Sequence, residues 1–430
     1  MKRTNWPFVR LGEIAEFRNG LNYNKDNFGK GLKVVNVKDF QDRLIADLSD
    51  LEEINPDGVV REECLPKDGD IIFVRSNGNR ELIGRSMLVK AVMEPVSHSA
   101  FSIKVRFSAK GVLPRFYAYV FRTALIRTEL SNRGGGTNIS NLNQDILNSL
   151  EVPKPTLATQ SKIASVLSAY DDLIENNTRR IAILEAMAQA IYREWFVEFR
   201  FPGHEKVKLV DSPLGKIPEG WKVSTLEGAC QSVIDGDWIE TKDQGGNDYR
   251  LLQVSNIGTG CFIETGNFRY VTKETFDRLR CQEVKPCHIL ISRMPKPIGR
   301  AWLVTEMAWK MITAVDVAIA MAHPDRSTAH FLVNYLNSPE HIENAEKHAT
   351  GTTRPRVSRS ALSSLRLVLP PLNLQQQFTA LVADGYSLIT ALRKKADVIR
   401  RTRDLLLPRL ISGELDVEDL DIDTAEAVTE

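Results

Sequence analysis

Between Pro155 and Phe201 apolar residues recur at steps of three and four: Ile163, Val166 and Leu167, Tyr170, Leu173 and Ile174, Ile181, Leu184, Met187 and Ala188, Ile191 and Trp195. Asn177 falls on the same stripe, while Lys162, Asp171, Glu175, Arg179, Arg180, Glu185 and Glu194 fall on the opposite face. No Pro or Gly interrupts residues 156–201, so the spacing predicts one long amphipathic helix. At about 1.5 Å per residue, its roughly 40 residues span about 60 Å, more than a small globular domain needs. Such a helix calls for a partner of equal length. A second stretch, about Asn373 to Leu410, supplies it, with Phe378, Gly385, Leu392, Ile399 and Leu406 at heptad spacing and Leu381/Val382, Leu388/Ile389 and Ala396 between them. Pro408 is expected to break this helix, and Gly413 suits its terminator. Gly385 is either a point of close approach or a plain weak spot. Asn177 is either a register pin or a residue at the solvent margin.

The two stretches belong to a repeat. Trp6 and Trp221, each five residues before a leucine (Leu11, Leu226), are offset by 215, and the same offset joins Ile83-Gly84-Arg85 to Ile298-Gly299-Arg300 and Phe116 to Phe331. It also joins Gly136-Thr137 to Gly351-Thr352, Leu147 and Leu150 to Leu362 and Leu365, and Pro155–Gln160 to Pro370–Gln375. Each half is therefore one globule followed by one long helix. The short Pro- and Gly-punctuated link from Phe201 to Trp221 makes the second helix return antiparallel to the first.

Within each globule short apolar runs predict strands: Lys33 to Phe40, Asp70 to Ser76, Arg85 to Met93 and Phe101 to Phe107, with YRLLQVSNI, HILISR, RAWLVT and DVAIAMA as counterparts. Helical pieces follow at Pro114 to Glu129 and Ser327 to His348. The fold class expected is α+β: two similar, mostly-β domains with partly barrel-like sheets, joined by a long antiparallel two-helix coiled coil in a pseudo-twofold internal repeat. The boundaries are 1–154, first globule; 155–201, central helix; 202–369, second globule; 370–415, C-terminal helix; and 416–430, an acidic disordered tail.

Composition narrows this picture only a little. With 430 residues, 43% hydrophobic, the chain has room for two or three cores. A net charge of +1 says nothing about nucleic acid, so any basic surface is local. No apolar run suits a membrane span and no signal pattern follows Met1, so a cytoplasmic location is expected. Five cysteines without CxxC spacing read as reduced core thiols.

A catalytic kit is not apparent: GxxxxGK[ST], a strand-to-helix GxGxxG and HExxH are absent. His98, His288 and His330 have no recognisable partner in sequence, and Asp235 to Lys242, with Asp237 and Glu240, reads as a solvated loop. The halves differ most in their polar loops. In the first these carry Arg75, Asn77, Asn79, Arg80, Thr137, Asn138 and Asn141; in the second, Arg293, Lys296, Thr352, Arg354, Arg356 and Arg359. Such side chains contact phosphates and base edges, although solvated loops contain them too.

Asp171 to Phe196, the link Leu214 to Trp221, the run LLLPRLISGEL (Leu405 to Leu415), and the Gln that precedes each helix (Gln160, Gln375) together resemble the specificity (S) subunit of type I restriction–modification systems. The resemblance covers essentially the whole chain, its helical signatures being specific and its globules matching in layout. It implies two target-recognition domains that each read half of an asymmetric bipartite DNA site, a helix pair that sets the gap, and no catalysis or cofactor in this chain. It further implies modification subunits, two in number, that bind S-adenosylmethionine and methylate adenine, and restriction subunits that use ATP and Mg. The outward residues Asp171, Glu175, Arg179 and Arg180 become candidates for partner docking. Tyr170/Gly385 and Asn177/Leu392 depart from a symmetric pattern, so equal docking on both helices does not follow. Two other readings stay open, a non-DNA coiled-coil scaffold and a self-sufficient DNA-modifying enzyme.

Overall fold

In the computed structural model, residues 6–40, 43–133 and 141–424 are described. They pack as two units, Met1–Asn176 with Ala396–Glu430, and Asn177–Lys395. The first unit has a four-stranded antiparallel sheet in the order Ala15–Asn19, Ser102–Phe107, Ile71–Val74, Ser86–Leu88. A three-stranded sheet (Glu52–Ile54, Phe28–Val35, Val96–His98) and the pair Phe8–Arg10 with Glu151–Pro153 complete it. In the second unit the same design recurs: Cys230–Asp235, Val317–Ala322, Ile289–Ser292, Ala301–Leu303; then Tyr270–Val271, Tyr249–Leu252, Lys310–Thr313; then Lys222–Thr225 with Arg366–Leu369. A parallel strand pairing is repeated too, Phe28–Val35 with Val96–His98 and Tyr249–Leu252 with Lys310–Thr313. The partly barrel-like sheet expected from sequence is thus resolved into separate sheets. The link between halves, read as punctuation, holds a hairpin of Leu209–Ser212 and Gly215–Pro218.

The repeated Ile-Gly-Arg has a local cause in both units. Ile83 and Ile298 are buried, and Gly84 (φ +73°) and Gly299 (φ +92°) take the left-handed conformation that strains other residues. The arginine then reaches loop carbonyls: Arg85 donates to Phe40, and Arg300 to Val254, Ile257, Pro295 and Pro297.

The first long helix spans Leu157–Tyr192 and closes in a π-helical turn at Arg193–Val197. It therefore ends before Phe201, because Phe199 has φ +58° and the wider turn seats Phe196 among Phe331, Phe378 and Trp221. The second helix spans Leu372–Ile411 and continues through Pro408, contrary to expectation. Burial of Leu410 and Ile411 in the first unit's core holds the last turn, where the Ser412 N–H bonds the Pro408 carbonyl. Gly413, at φ +68°, ends it. The following segment is no loose tail at its start: Val417 is buried, Ile422 packs against the same core, and Lys162 Nζ donates to the Glu418 carbonyl at 2.7 Å.

Each unit contains part of both helices, and within each unit they run antiparallel. In the second unit Glu185 pairs with Arg393, and further along Tyr192 meets Phe378. In the first, Ile163, Ala164 and Leu167 share a core with Leu410 and Ile411, while Asp171 pairs with Arg403. Leu173 and Met187, read as seam positions, are instead about half exposed, at 47% and 55%, because the buried stripe follows the opposite member of each doublet. Asp171 and Glu185, placed by the spacing on the face opposite the apolar stripe, are partly buried ion-pair members for the same reason. Asn177 is buried, and its amide nitrogen has no hydrogen-bond partner among the described residues. At Gly385 an added Cβ would meet open space, so this glycine is the plain weak spot.

A glutamine joins globule to helix in both units. Gln160, fully buried, accepts from the Leu113 N–H (2.8 Å) and donates to the Gly111 and Pro155 carbonyls (both 2.9 Å). Gln375 repeats every bond at the 215 offset, accepting from Thr328 (3.0 Å) and donating to Arg326 (2.9 Å) and Pro370 (2.8 Å). Gln160→Ala leaves a backbone N–H and two carbonyls without this partner, so we expect the first unit to lose about 3 kcal/mol, read as a lowered denaturant midpoint. A hydrophobic-only joint would lose far less.

His341, 1% exposed, lies against Gly299 and Tyr335, and among the described residues neither ring nitrogen has a hydrogen-bond partner. Burial holds its pKa down to about 4, so the unfolded chain binds more protons between that value and the free imidazole's. Stability from this residue is therefore complete above about pH 6.5 and falls as pH drops toward about 4, by up to about 3 kcal/mol. In His341→Gln the pH dependence of the second unit's thermal midpoint should flatten over that window.

Candidate nucleic-acid interface

In the second unit the chain ends of three strands converge. Arg293 follows the strand Ile289–Ser292; its N–H donates to the Asp316 carbonyl (3.0 Å) and its own carbonyl accepts from Val357 (3.2 Å). That places the segment of Arg356 and Arg359 beside it. Asp235 ends the strand Cys230–Asp235, and Gly236 must be glycine because a Cβ would lie 2.3 Å from the Ala314 carbonyl oxygen. This close approach lets Gly236 and Asp237 donate to Val317 (3.0 Å) and Thr313 (2.8 Å), which fixes Asp235.

The charged side chains form an alternating row. Arg356 Nε lies 2.8 Å from Asp316, Arg293 lies 4.0 Å from Asp316 and 3.0 Å from Asp235, and Arg359 Nε donates to Asp235 at 3.0 Å. Arg293 is buried at the centre, and burial pushes its pKa down against the pull of Asp235. It lies within ion-pair distance of two carboxylates. Arg356 and Arg359, 41% and 42% exposed, flank it. Lys296 pairs with Glu346 at 2.6 Å. Thr352 and Arg354 are exposed in a turn closed by reciprocal 2.9 Å bonds between Thr350 and Arg356.

The neighbouring loop is less solvated than its sequence suggests. Asp237 accepts from the Gln282 N–H at 3.1 and 3.2 Å, and burial raises its pKa to about 6. Glu240 pairs with Lys242, and Trp238 is 70% exposed.

In the first unit the corresponding segments are also adjacent. Arg75 donates its N–H to Phe101 (2.8 Å) and accepts from Leu142 (2.9 Å), and Ser76 bridges to Asn141. Asn77 and Asn79 use their side-chain carbonyls to build the turn, accepting from the Asn79 and Glu81 N–H groups at 2.7 and 3.0 Å. Asn141 is exposed. Thr137 and Asn138 lie outside the described residues, as does the side chain of Arg80.

Of the helix residues proposed for docking, Asp171 is turned inward. It accepts from Tyr119 Oη at 2.7 Å and pairs with Arg403. Glu175, Arg179 and Arg180 are exposed. Sequence reasoning missed Asp235 and Asp316 as organisers of the arginine row; the signal was Gly236 at the end of a strand.

Residues 3–186 match the type I restriction modification DNA specificity domain. The MjaIX specificity subunit of Methanocaldococcus jannaschii, a type I restriction enzyme component, is 26% identical over 72% of this chain and 71% of its own length. Over most of its length the chain is therefore similar to type I restriction enzyme specificity subunits, and its first 186 residues carry the matched DNA specificity domain. The EcoKI specificity subunit of Escherichia coli is 21% identical over 92% of the chain and 84% of its own. At the level of fold, the S subunit from M. genitalium superposes with a TM-score of 0.55 at 14% identity, covering 95% and 97% of the two chains. These relatives do not support the scaffold or the self-sufficient enzyme. Among the described residues, no helix is long and apolar enough to cross a membrane.

Proposed function

We propose that this chain is the DNA sequence-recognition subunit of a type I restriction–modification complex, reading an asymmetric bipartite duplex site with one unit per half-site. The observation that carries this reading is one hydrogen-bonded scaffold built twice with different side chains at the same loop positions. Leu142 donates to Arg75 as Val357 does to Arg293, yet carboxamides dominate the first site and guanidiniums the second. A repeated scaffold with varied polar loops suits two readers of unlike sequence. The two helices shared by the units set the gap between half-sites. The exposed faces around Glu175, Arg179 and Arg180 dock two modification subunits, and restriction subunits join the assembly. S-adenosylmethionine belongs to the modification subunits and ATP with Mg to the restriction subunits, so adenine methylation and cleavage are theirs.

The full chain, in complex with its modification subunits, should select one two-part sequence from a randomised duplex pool at moderate salt. It should keep both half-sites but lose affinity when the gap is lengthened by a few base pairs. Equal binding to selected and scrambled duplexes would overturn the reading.

A further inference from the structure

The functional reading assigns the second unit to DNA but not the side chains that read bases. Four features single out Arg356 and Arg359. Both backbones are held rigidly: Arg356 exchanges 2.9 Å bonds with Thr350, and Arg359 opens the helix Arg359–Ser364, capped by Ser358, which accepts from Ala361 at 3.1 Å. Both are held beside a carboxylate: Arg359 Nε donates to Asp235 at 3.0 Å, and Arg356 Nε forms an ion pair with Asp316 at 2.8 Å, while the buried Arg293 lies 3.0 and 4.0 Å from the same two carboxylates. Among the described residues, terminal nitrogens of each remain for a ligand: Arg359 engages Nη1, toward the Val233 carbonyl at 3.3 Å. Finally, the 215 offset places Asn141 and Gln144 at the same two positions of the first unit, where Asn141 again sits on a backbone bridge and Gln144 again opens a capped helix.

We propose that Arg356 and Arg359 are base-reading residues that recognise guanine in the half-site of the second unit, with Asp235 and Asp316 as their positioning residues. A guanidinium held on one side by a carboxylate matches, through its remaining terminal nitrogens, the O6 and N7 acceptors of guanine, and a carboxamide matches adenine N6 and N7. The same two positions thus give the two units different base preferences. Phosphate offers a similar pair of acceptors. Contacts to phosphate need no such bracing of the guanidinium plane, which favours the base.

This inference rests on the reading of the chain as a DNA-recognition subunit, and the test separates the two. The wild-type complex is first used to select its sequence from a randomised duplex pool; failure to select any sequence overturns the functional reading itself. Arg356→Lys and Arg359→Lys keep the charge and remove the fork. Each should relax the preference for guanine at one position of one half-site by roughly 10- to 100-fold, with the other half-site and the salt dependence of binding unchanged. Asp235→Asn, which leaves Arg359 in place, should weaken preference at the same position as Arg359→Lys, with the thermal midpoint measured alongside. If both lysine variants keep every base preference, or lose affinity uniformly across sequences, the arginines contact phosphate or only brace the fold, and the inference is wrong.

Discussion

The buried carboxamides of Gln160 and Gln375 are the joints on which the rest depends. Each makes three bonds from a fully buried position, one to the backbone that opens a globular helix and two to carbonyls on either side of the joint. An amide is suited to this because it offers both donors and an acceptor without charge. With those bonds made, the globule cannot rotate freely against its long helix, and the loops of each unit keep a fixed relation to the helix segments in the same unit.

Polar groups also mark the helix contacts, and they differ between units. In the first, Tyr119, Asp171 and Arg403 form a charged chain. In the second, residues Asn334 and Tyr386 stand where Tyr119 and Asp171 stand, and Asn334 is bonded to Gln189 (3.0 Å) and Tyr386 (3.0 Å). The repeat therefore keeps the positions of Tyr119 and Asp171 but not of Arg403, whose counterpart is Ala188, and it builds the second network from neutral groups. Glu185, whose pKa burial raises against the pull of Arg393, supplies the charged pair of the second unit at another level. Removing one partner of a half-buried pair leaves the other desolvated, so these residues bind the helices to one register more than they add net stability.

At the candidate interface, positive charge alone is a poor guide. Arg293 looks like a ligand-binding arginine in sequence but is buried between two carboxylates, and Lys296 is paired on the surface. Asp235 and Asp316 appear unhelpful to an anionic ligand until their geometry is considered. Asp235 accepts from Arg359 Nε and Asp316 pairs with Arg356, which holds one side of each exposed guanidinium against a carboxylate. Preorganisation of this kind favours a shaped acceptor pair over diffuse negative charge.

Much of this was legible without coordinates. Heptad spacing with no Pro or Gly specifies a long helix because side-chain burial on one face repeats with the helix itself, and a shared offset of 215 specifies a duplication because separate anchors do not align by chance. The repeat even marked Gln160 and Gln375 as equivalent. What the order of residues could not contain was pairing across the chain. Whether Asp171 faces solvent or Arg403, whether Asp235 is a loop acid or the brace of Arg359, and whether Pro408 ends a helix all depend on groups tens to hundreds of residues away. Local propensity is a few tenths of a kcal/mol for most residues and about 3 kcal/mol for an interior proline, and burial of Leu410 and Ile411 outweighs it at Pro408. The chain by itself determined the two long helices and the twofold repeat; the tertiary structure decided which charges are engaged inside and which are left to meet a ligand, because desolvation and Coulomb attraction act through space rather than along the sequence.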